Sequence, residues 1–292
     1  MTAGIVNVLK PPGLTSHDVV AFLRRVYGLK RVGHAGTLDP AAAGVLPVFL
    51  GTGTRLIEYT ADADKAYRVE LTFGYATDSG DDTGEVIAER RDGSPPAMAD
   101  VEAALAAFVG DIEQVPPMHS AIKIGGRKLY ELARAGVTVE RAARPVTIAA
   151  IRLIGIDGPV ILFDVVCSKG TYIRSLCRDV GDKLGWPAVM SFLVRTRVGA
   201  FSLPTAKALE EIAADPAAAV LPLEVAVGHL PAVVLPAADS QSFICGRLVK
   251  VTCGAPEGPR RVYDEAGSLL GIGRSPVGEG LLKPLKVIAA NS

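Results

Sequence analysis

Apolar residues recur at helical spacing in some parts of the chain and at strand spacing in others. Residues 16–28 follow the helical pattern, with Ser16 as a candidate N-cap and Gly28 as the closing residue. Residues 67–75 alternate apolar and polar side chains instead, which is typical of a half-buried strand. The first quarter of the chain therefore predicts a helix followed by a strand.

The same criteria predict further elements, which do not follow a regular order. They are a short strand near Val86, a helix over 100–109, strands over 146–154 and 160–167 separated by a turn at 157–159, and a helix over 171–185. Because strands and helices do not alternate regularly, we expect an α+β fold with a mixed or antiparallel sheet rather than a doubly wound one.

The last quarter of the chain differs from the rest. Residues 216–236 contain four prolines and are interpreted as a linker. Short β-like runs separated by glycine and proline then predict a small β-rich domain. We expect a larger domain over 1–229 and a smaller one over 230–292.

The charged residues balance over the whole chain. The 292 residues contain 31 Lys plus Arg and 31 Asp plus Glu, a formal net charge of zero, which argues against a protein that is basic throughout. The balance is uneven along the chain, because residues 113–145 carry six basic and three acidic residues, whereas 61–112 carry four and twelve. The segment 113–145, called here the basic insertion, therefore has a local charge of +3.

Localisation and metal binding are predicted from absent sequence features. No run of about 18 apolar residues and no signal-peptide pattern is present, so we expect a cytoplasmic protein without a membrane span. The four cysteines, at 167, 177, 245 and 253, form no CxxC pair and no ligand cluster with histidine. We expect reduced thiols and no metal site.

The densest chemical signal is the segment GHAGTLDP, which begins at Gly33. Its glycines permit unusual backbone angles or close approach of a ligand, and Pro40 favours an extended Asp39. Such a loop can present one carboxylate in a fixed direction. The alternative is an ordinary turn in which the Asp39 side chain bonds its own backbone.

A second candidate segment, SKGTYIRSL, begins at Ser168 and opens the helix predicted over 171–185. Tyr172 and Arg174 project from its first turn. An arginine there is unfavourable with the helix dipole and needs another partner, such as a carboxylate. The alternative is that Tyr172 packs in the core and Arg174 is a solvated surface charge.

Several separated motifs together resemble the bacterial tRNA pseudouridine-55 synthases of the TruB type. In chain order they are KPPGLTS from Lys10, GHAGTLDPAAAGVLP from Gly33, KAYR from Lys65, VPP from Val115, SAIK from Ser120, SKGTYIRSL from Ser168, and LVRT from Leu193 with Gly199 and Phe201 after it. Gly246-Arg247 and the ending Leu282-Lys283-Pro284 resemble the appended PUA-type RNA-binding domain of that family. The joint order is specific and spans nearly the whole chain.

The resemblance implies a pseudouridine synthase fold, with a mixed, largely antiparallel sheet flanked by helices, and a cofactor-free isomerisation of a tRNA uridine. Asp39 matches the essential aspartate, which attacks C1′ or abstracts a sugar proton. Tyr67 matches the tyrosine that stacks on the target base and is placed to help remove its C5 proton. Arg174 matches the arginine that pairs with the aspartate, orients it and stabilises its charge.

The resemblance also implies the residues that bind RNA. Tyr172 and Leu193 match residues of the uracil pocket, and His34 matches a histidine beside the flipped nucleotides. Lys10, the first residue of the KPPGLTS motif, is also expected to bind substrate. The basic insertion, with Lys123, Arg127 and Lys128, corresponds to a mobile RNA-gripping segment, and the C-terminal domain is expected to contact the acceptor side of tRNA.

Two other functions are weighed against a tRNA pseudouridine synthase. One is a synthase for another RNA that needs a guide RNA and partner proteins, which the basic insertion disfavours. The other is an RNA-binding protein that has lost catalysis, which Asp39, Tyr67 and Arg174 together disfavour. We expect a monomer without an obligatory protein partner, whose positive segments face RNA while the acidic residues 78–111 turn away from phosphate.

Overall fold

The computed structural model describes residues 3–251, 258–275 and 280–289. The strands are β1 (Gly4–Lys10), β2 (Val32–His34), β3 (Ala43–Leu50), β4 (Lys65–Phe73), β5 (Tyr75–Thr77), β6 (Val86–Glu89), β7 (Gly110–Gln114), β8 (Lys123–Ile124), β9 (Arg127–Lys128), β10 (Arg144–Asp157), β11 (Val160–Cys167), β12 (Ala188–Val198), β13 (Phe201–Ser202), β14 (Val220–Leu221), β15 (Ala232–Leu235), β16 (Val249–Lys250), β17 (Gly258–Asp264), β18 (Leu269–Ser275) and β19 (Leu281–Val287).

Helices of very different length connect these strands. They are α1 (Ser16–Tyr27), α2 (Ile57–Ala61), α3 (Met98–Ala106), α4 (Leu129–Arg134), α5 (Ile173–Leu184), α6 (Leu209–Ala214), α7 (Glu224–Val227) and α8 (Ala237–Ile244), with 3₁₀ turns at Gly51–Leu56 and Leu203–Thr205. None of the helices in the described residues is long and apolar enough to cross a membrane.

A ten-stranded sheet organises most of the chain. Its order is β14-β1-β3-β12-β4-β11-β10-β7, with β2 beside β3 and β13 beside β12. Neighbouring strands are antiparallel except for β3 and β12, which run parallel. The predicted α+β class with a mixed, largely antiparallel sheet is confirmed.

The sheet is buried on one face by helices. The apolar residues of β4 that alternate with polar ones, Val69, Leu71 and Phe73, are at most 3% exposed and share a core with Leu176 and Val180 of α5. Strand β4 covers 65–73 rather than 67–75, because Gly74 has a φ of +111° and leaves the extended conformation.

Helix α1 begins with a different cap from the predicted one. Thr15 is the N-cap: its hydroxyl accepts the Asp18 N–H at 3.0 Å, and the Asp18 carboxylate accepts the Thr15 N–H at 2.9 Å. Ser16 is instead buried inside the first turn. The sequence TSHD offers two capping residues in a row, and the reciprocal bond with Asp18 selects the first.

The prediction of a linker over 216–236 is wrong. Val220 and Leu221 form strand β14, which pairs with β1 at the edge of the large sheet. Leu223 and Val227 are buried in a core cluster with Phe49. The prolines of this segment lie between short packed elements, so they mark turns rather than a flexible connection.

The described residues after 231 form the expected β-rich unit. Its sheet has the order β15-β17-β18-β19-β16, and Phe243 of α8 is buried against it. The unit contacts the larger sheet region, since Ile272 lies in the same cluster as Phe49, and Lys286 Nζ lies 2.7 Å from the Glu58 carboxylate.

The described cysteines are free thiols, and Cys253 lies outside the described residues. Cys167 and Cys177 are buried, whereas Cys245 is exposed. Within the described ranges, no three His, Cys, Asp or Glu side chains come together as a metal site would require.

Candidate active site

Asp39 lies on the loop between β2 and β3, and hydrogen bonds from another segment hold the residues on either side of it. The Ser16 hydroxyl donates to the Leu38 carbonyl at 3.1 Å and accepts the Leu38 N–H at 2.9 Å. The Gly13 N–H donates to the Pro40 carbonyl at 2.8 Å. The backbone on both sides of Asp39 is therefore held by the segment that leads into α1.

Lys10 holds the same loop through hydrogen bonds to backbone carbonyls. Its side chain is fully buried, and its ammonium group donates to the carbonyls of Pro11, Pro40 and Ala42 at 2.6–3.2 Å. Burial lowers the pKa of Lys10 to about 8, although the charge of Asp39 acts in the opposite direction. Lys10 was predicted to bind substrate, but its burial places it among the loop's supports instead.

The Asp39 carboxylate pairs with the arginine that the sequence singles out. Arg174 Nε lies 3.1 Å from Asp39 Oδ2, and the side chain of Arg174 is 7% exposed while that of Asp39 is 37% exposed. The turn after Asp39 is closed by a main-chain hydrogen bond rather than by the Asp39 side chain, because the Ala42 N–H donates to the Asp39 carbonyl at 3.1 Å. The carboxylate is thus fixed by a buried cation and remains open to solvent.

Arg174 has partners on two other segments, so it is not a surface charge. Its Nη1 donates to the Ser79 carbonyl and its Nη2 to the His119 carbonyl, each at 2.8 Å. Its Nε also lies 3.8 Å from the Asp81 carboxylate. An arginine near a helix N-terminus needed a partner, and the fold supplies two carboxylates and two carbonyls.

Asp81 is a site residue that the sequence interpretation missed. Burial by itself raises the pKa of Asp81, but hydrogen bonds from Thr83 and Ser79 and the charge of Arg174 together lower it. The residue belongs to the acidic segment 78–111, which was expected to turn away from the RNA-facing side. Asp81 itself is buried beside Arg174 and is not a solvated surface charge.

Tyr67 lies on β4, directly opposite Arg195 of β12. Burial raises the pKa of Tyr67, and the charge of Arg195 opposes this rise. Tyr67 is half-buried, and the charge of Asp39 also acts on it. The structure therefore brings Tyr67 into the electrostatic environment of the Asp39 loop.

The other predicted pocket residues surround this centre. Leu193 is buried on β12 opposite Val69. Tyr172 is the N-cap of α5, and the buried Gln114 clamps its backbone by accepting its N–H at 2.7 Å and donating to its carbonyl at 3.1 Å. His34 ends β2 and is half-buried, and its pKa is lowered by burial and by Arg195, so the ring is neutral at pH 7.

The basic insertion contacts the site through Gln114 and His119, which bond Tyr172 and Arg174, and it also carries an exposed hairpin. Lys123 and Arg127 lie on the hairpin of β8 and β9 and are exposed, and Lys128 is half-exposed. Gly125 and Gly126, both with positive φ, form the two-residue turn. The structure pairs Asp39 with Arg174, places Tyr172 at the start of the helix that carries Arg174, and places Tyr67 and Leu193 on paired strands. Lys123, Arg127 and Lys128 lie on the β8–β9 hairpin.

Comparison with known sequences gives a consistent result along the chain. The N-terminal domain of TruB family pseudouridylate synthase matches residues 24–173, the C-terminal domain of tRNA pseudouridylate synthase B matches 174–237, and the C-terminal domain of pseudouridine synthase II TruB matches 231–288. The chain is 48% identical over 305 residues to the tRNA pseudouridine synthase B of Moorella thermoacetica, covering 99% of this chain and 100% of that protein. It is 56% identical over 233 residues to the protein of that name from Symbiobacterium thermophilum, covering 79% and 77%.

Two solved structures are similar to this chain over almost its whole length. A structure of an H/ACA RNP bound to a substrate RNA containing 2′-deoxyuridine matches with a TM-score of 0.76 and 26% identity, covering 98% of this chain and 85% of that chain. A Cbf5-Nop10-Gar1 complex matches with a TM-score of 0.75 and 27% identity, with the same coverage.

Proposed function

Because the chain belongs to the TruB family of pseudouridylate synthases, we propose that it converts uridine to pseudouridine at position 55 in the T loop of tRNA. The observation that carries the proposal is Asp39 itself. Its carboxylate lies on a loop held by Ser16 and Lys10, it is oriented by Arg174 at 3.1 Å, and it stays partly open. A base inside a folded loop must be extruded to reach it, at a cost of a few kcal/mol.

Asp39 acts on the ribose of the extruded uridine by one of two routes. In the first, its oxygen bonds to C1′ while the N1–C1′ bond breaks, and C5 of the rotated uracil later displaces it. In the second, it removes the C2′ proton as the N1–C1′ bond breaks, and it returns the proton when C5 adds to C1′. Both routes end with loss of the C5 proton and gain of a proton at N1.

Arg174 serves either route by fixing the carboxylate and balancing its charge. Tyr67 stacks on the uracil and takes part in removal of the C5 proton. Tyr172 and Leu193 line the pocket, and the neutral His34 ring replaces stacking that the extruded nucleotide loses. The reaction is redox-neutral and loses no group, so its chemistry requires no cofactor.

Binding of tRNA involves two surfaces besides the site. The basic insertion, with Lys123, Arg127 and Lys128 around an exposed hairpin, grips the RNA backbone. Residues 230–292 form a PUA-like domain that contacts the acceptor side, next to a catalytic domain over 1–229. All the proposed catalytic groups come from one chain, which supports a monomer that needs no protein partner.

The test uses purified protein and an unmodified tRNA transcript, with pseudouridine mapped at nucleotide resolution. The proposal predicts modification of the T-loop uridine by the protein alone, and no modification in a transcript that carries cytidine there. A protein that modifies the transcript only after a guide RNA and partner proteins are added would contradict the proposal and match the ribonucleoprotein relatives instead.

A further inference from the structure

Arg195 lies between the segment that follows the Asp39 loop and the strand that carries Tyr67. It lies on β12, where it pairs with Gly44 of β3 on one side and with Tyr67 of β4 on the other. Gly44 follows the Asp39 loop, and Tyr67 is the proposed stacking residue. A single residue thus stands between the segment that carries the carboxylate and the strand that carries the phenol.

The side chain of Arg195 holds the Asp39 loop through its backbone. Its Nε donates to the Val45 carbonyl at 2.8 Å, its Nη2 to the Gly36 carbonyl at 3.0 Å and its Nη1 to the Thr37 carbonyl at 3.3 Å. The fixed fork of the guanidinium spans both ends of the loop, which a lysine amine cannot do.

Close packing leaves Arg195 no freedom to move. A Cβ atom on Gly44 would lie 2.2 Å from the Arg195 carbonyl oxygen, and Gly44 has a φ of +112°, so only glycine fits opposite it. The residue is 1% exposed and is among the largest fully buried side chains of the described chain.

The positive charge of Arg195 has no carboxylate to balance it. Among the described residues, no carboxylate oxygen lies within 4.0 Å of its guanidinium. Its positive field also reaches Lys10, Lys65 and His34, which are themselves basic. A buried cation without a counter-ion is costly, which indicates that the charge serves a purpose other than stability.

The group that Arg195 faces is the Tyr67 phenol. The two residues lie directly opposite each other on paired antiparallel strands, so their side chains share one face of the sheet. Arg195 is also the charged group that acts most strongly on the pKa of Tyr67. Burial acts in the opposite direction, as do Cys167 and Asp39, and together they raise the pKa of Tyr67. Tyr67 is therefore a neutral phenol near neutral pH, and Arg195 stabilises the phenolate that forms when the phenol loses its proton.

We propose that Arg195 is a positioning residue for the isomerisation, which fixes the Asp39 loop and stabilises the Tyr67 oxygen as it takes the C5 proton. In that step the Tyr67 phenol first gives its proton to water, and the C5–H bond then breaks as its proton moves to the phenolate oxygen. The C–H electron pair forms the C5–C6 double bond, while the C6–N1 double-bond pair moves to N1, which then takes a proton from water. This inference rests on the proposed function.

The test compares tRNA transcripts that carry hydrogen or deuterium at uridine C5 in single-turnover reactions. Arg195→Lys keeps the charge but loses the fork, and we expect a rate roughly 10²-fold lower with a larger hydrogen-to-deuterium rate ratio, because C5 deprotonation becomes slower. Arg197→Lys is the matched control: Arg197 lies on the same strand and bonds only the Gly199 carbonyl among the described residues, so rate and ratio stay unchanged.

Two further variants keep the proposal falsifiable if the lysine variant does not fold. Arg195→Gln avoids burying a charge and gives the same increase in the rate ratio. With Tyr67→Phe as background, the Arg195 substitutions add little further change in that ratio, because their target oxygen is gone. An unchanged ratio in an active, folded variant overturns the inference, whereas a native protein that forms no pseudouridine overturns the proposed function itself.

Discussion

The Asp81 carboxylate lies 3.8 Å from Arg174 Nε, the same nitrogen that lies 3.1 Å from Asp39. Asp81 is itself held by the Ser79 hydroxyl at 2.7 Å and by the Thr83 N–H at 3.1 Å. Arg174 is therefore shared by an open carboxylate and a buried one. The buried carboxylate is the better-fixed of the two, and it holds the guanidinium together with the carbonyls of Ser79 and His119.

Replacement of Asp81 tests this shared arrangement. In Asp81→Asn the guanidinium loses one of its fixed, charged partners and shifts toward Asp39, and we expect kcat to fall roughly 10²-fold with little change in tRNA affinity. Single-turnover rates and tRNA binding measure the two effects separately. The control is Asp82→Asn, an exposed neighbour whose carboxylate accepts the Tyr75 hydroxyl at 2.6 Å; equal losses in both variants would contradict the account.

The two-way bond between Ser16 and Leu38 predicts a loss of both stability and rate. Ser16→Ala leaves the buried Leu38 N–H without its partner, and we expect about 1–3 kcal/mol of lost stability together with a lower kcat. Urea unfolding and kinetics measure these. Thr15→Ala removes the helix cap at a cost of about 1 kcal/mol without touching the loop, so an equal fall in kcat there would assign the effect to stability alone.

The basic hairpin predicts a change in the salt dependence of binding. When Lys123, Arg127 and Lys128 are replaced by glutamine together, we expect weaker tRNA binding and a shallower plot of log affinity against log salt. The slope falls by about 0.7–0.9 for each phosphate that the protein no longer neutralises. Arg91→Gln, a surface arginine paired with Glu89 at 2.7 Å, is the control. An unchanged slope in the triple variant would remove the hairpin from the RNA-binding surface.

Local patterns predicted the elements of the fold well because periodicity reports burial directly. The alternation in β4 and the stripe on α5 both correspond to buried faces in the structure. The linker over 216–236 was predicted wrongly because four prolines describe turns and packed short elements equally well. The prediction that Ser16 caps the helix was wrong for a related reason. The Ser16 hydroxyl has another partner, Leu38, which only the tertiary structure brings near it.

The site was predictable where a residue type and a motif coincide, and not where only tertiary contacts define it. Asp39 and Arg174 belong to distinctive segments, and their pairing is present at 3.1 Å. Asp81 lies in a run of acidic residues with no local sign that one of them turns inward. Arg195 lies in the LVRT motif, but its three carbonyl partners are between 150 and 159 residues away along the chain.

The most direct measurement of the central claim uses Asp39→Asn, which keeps the shape of the side chain but removes its charge. Native protein, this variant and the control Asp157→Asn, which alters an exposed turn, are each mixed in excess with unmodified tRNA. The account predicts complete conversion of the T-loop uridine by the native and control proteins, and normal tRNA binding without pseudouridine in the variant. Conversion by Asp39→Asn at the native rate would contradict it.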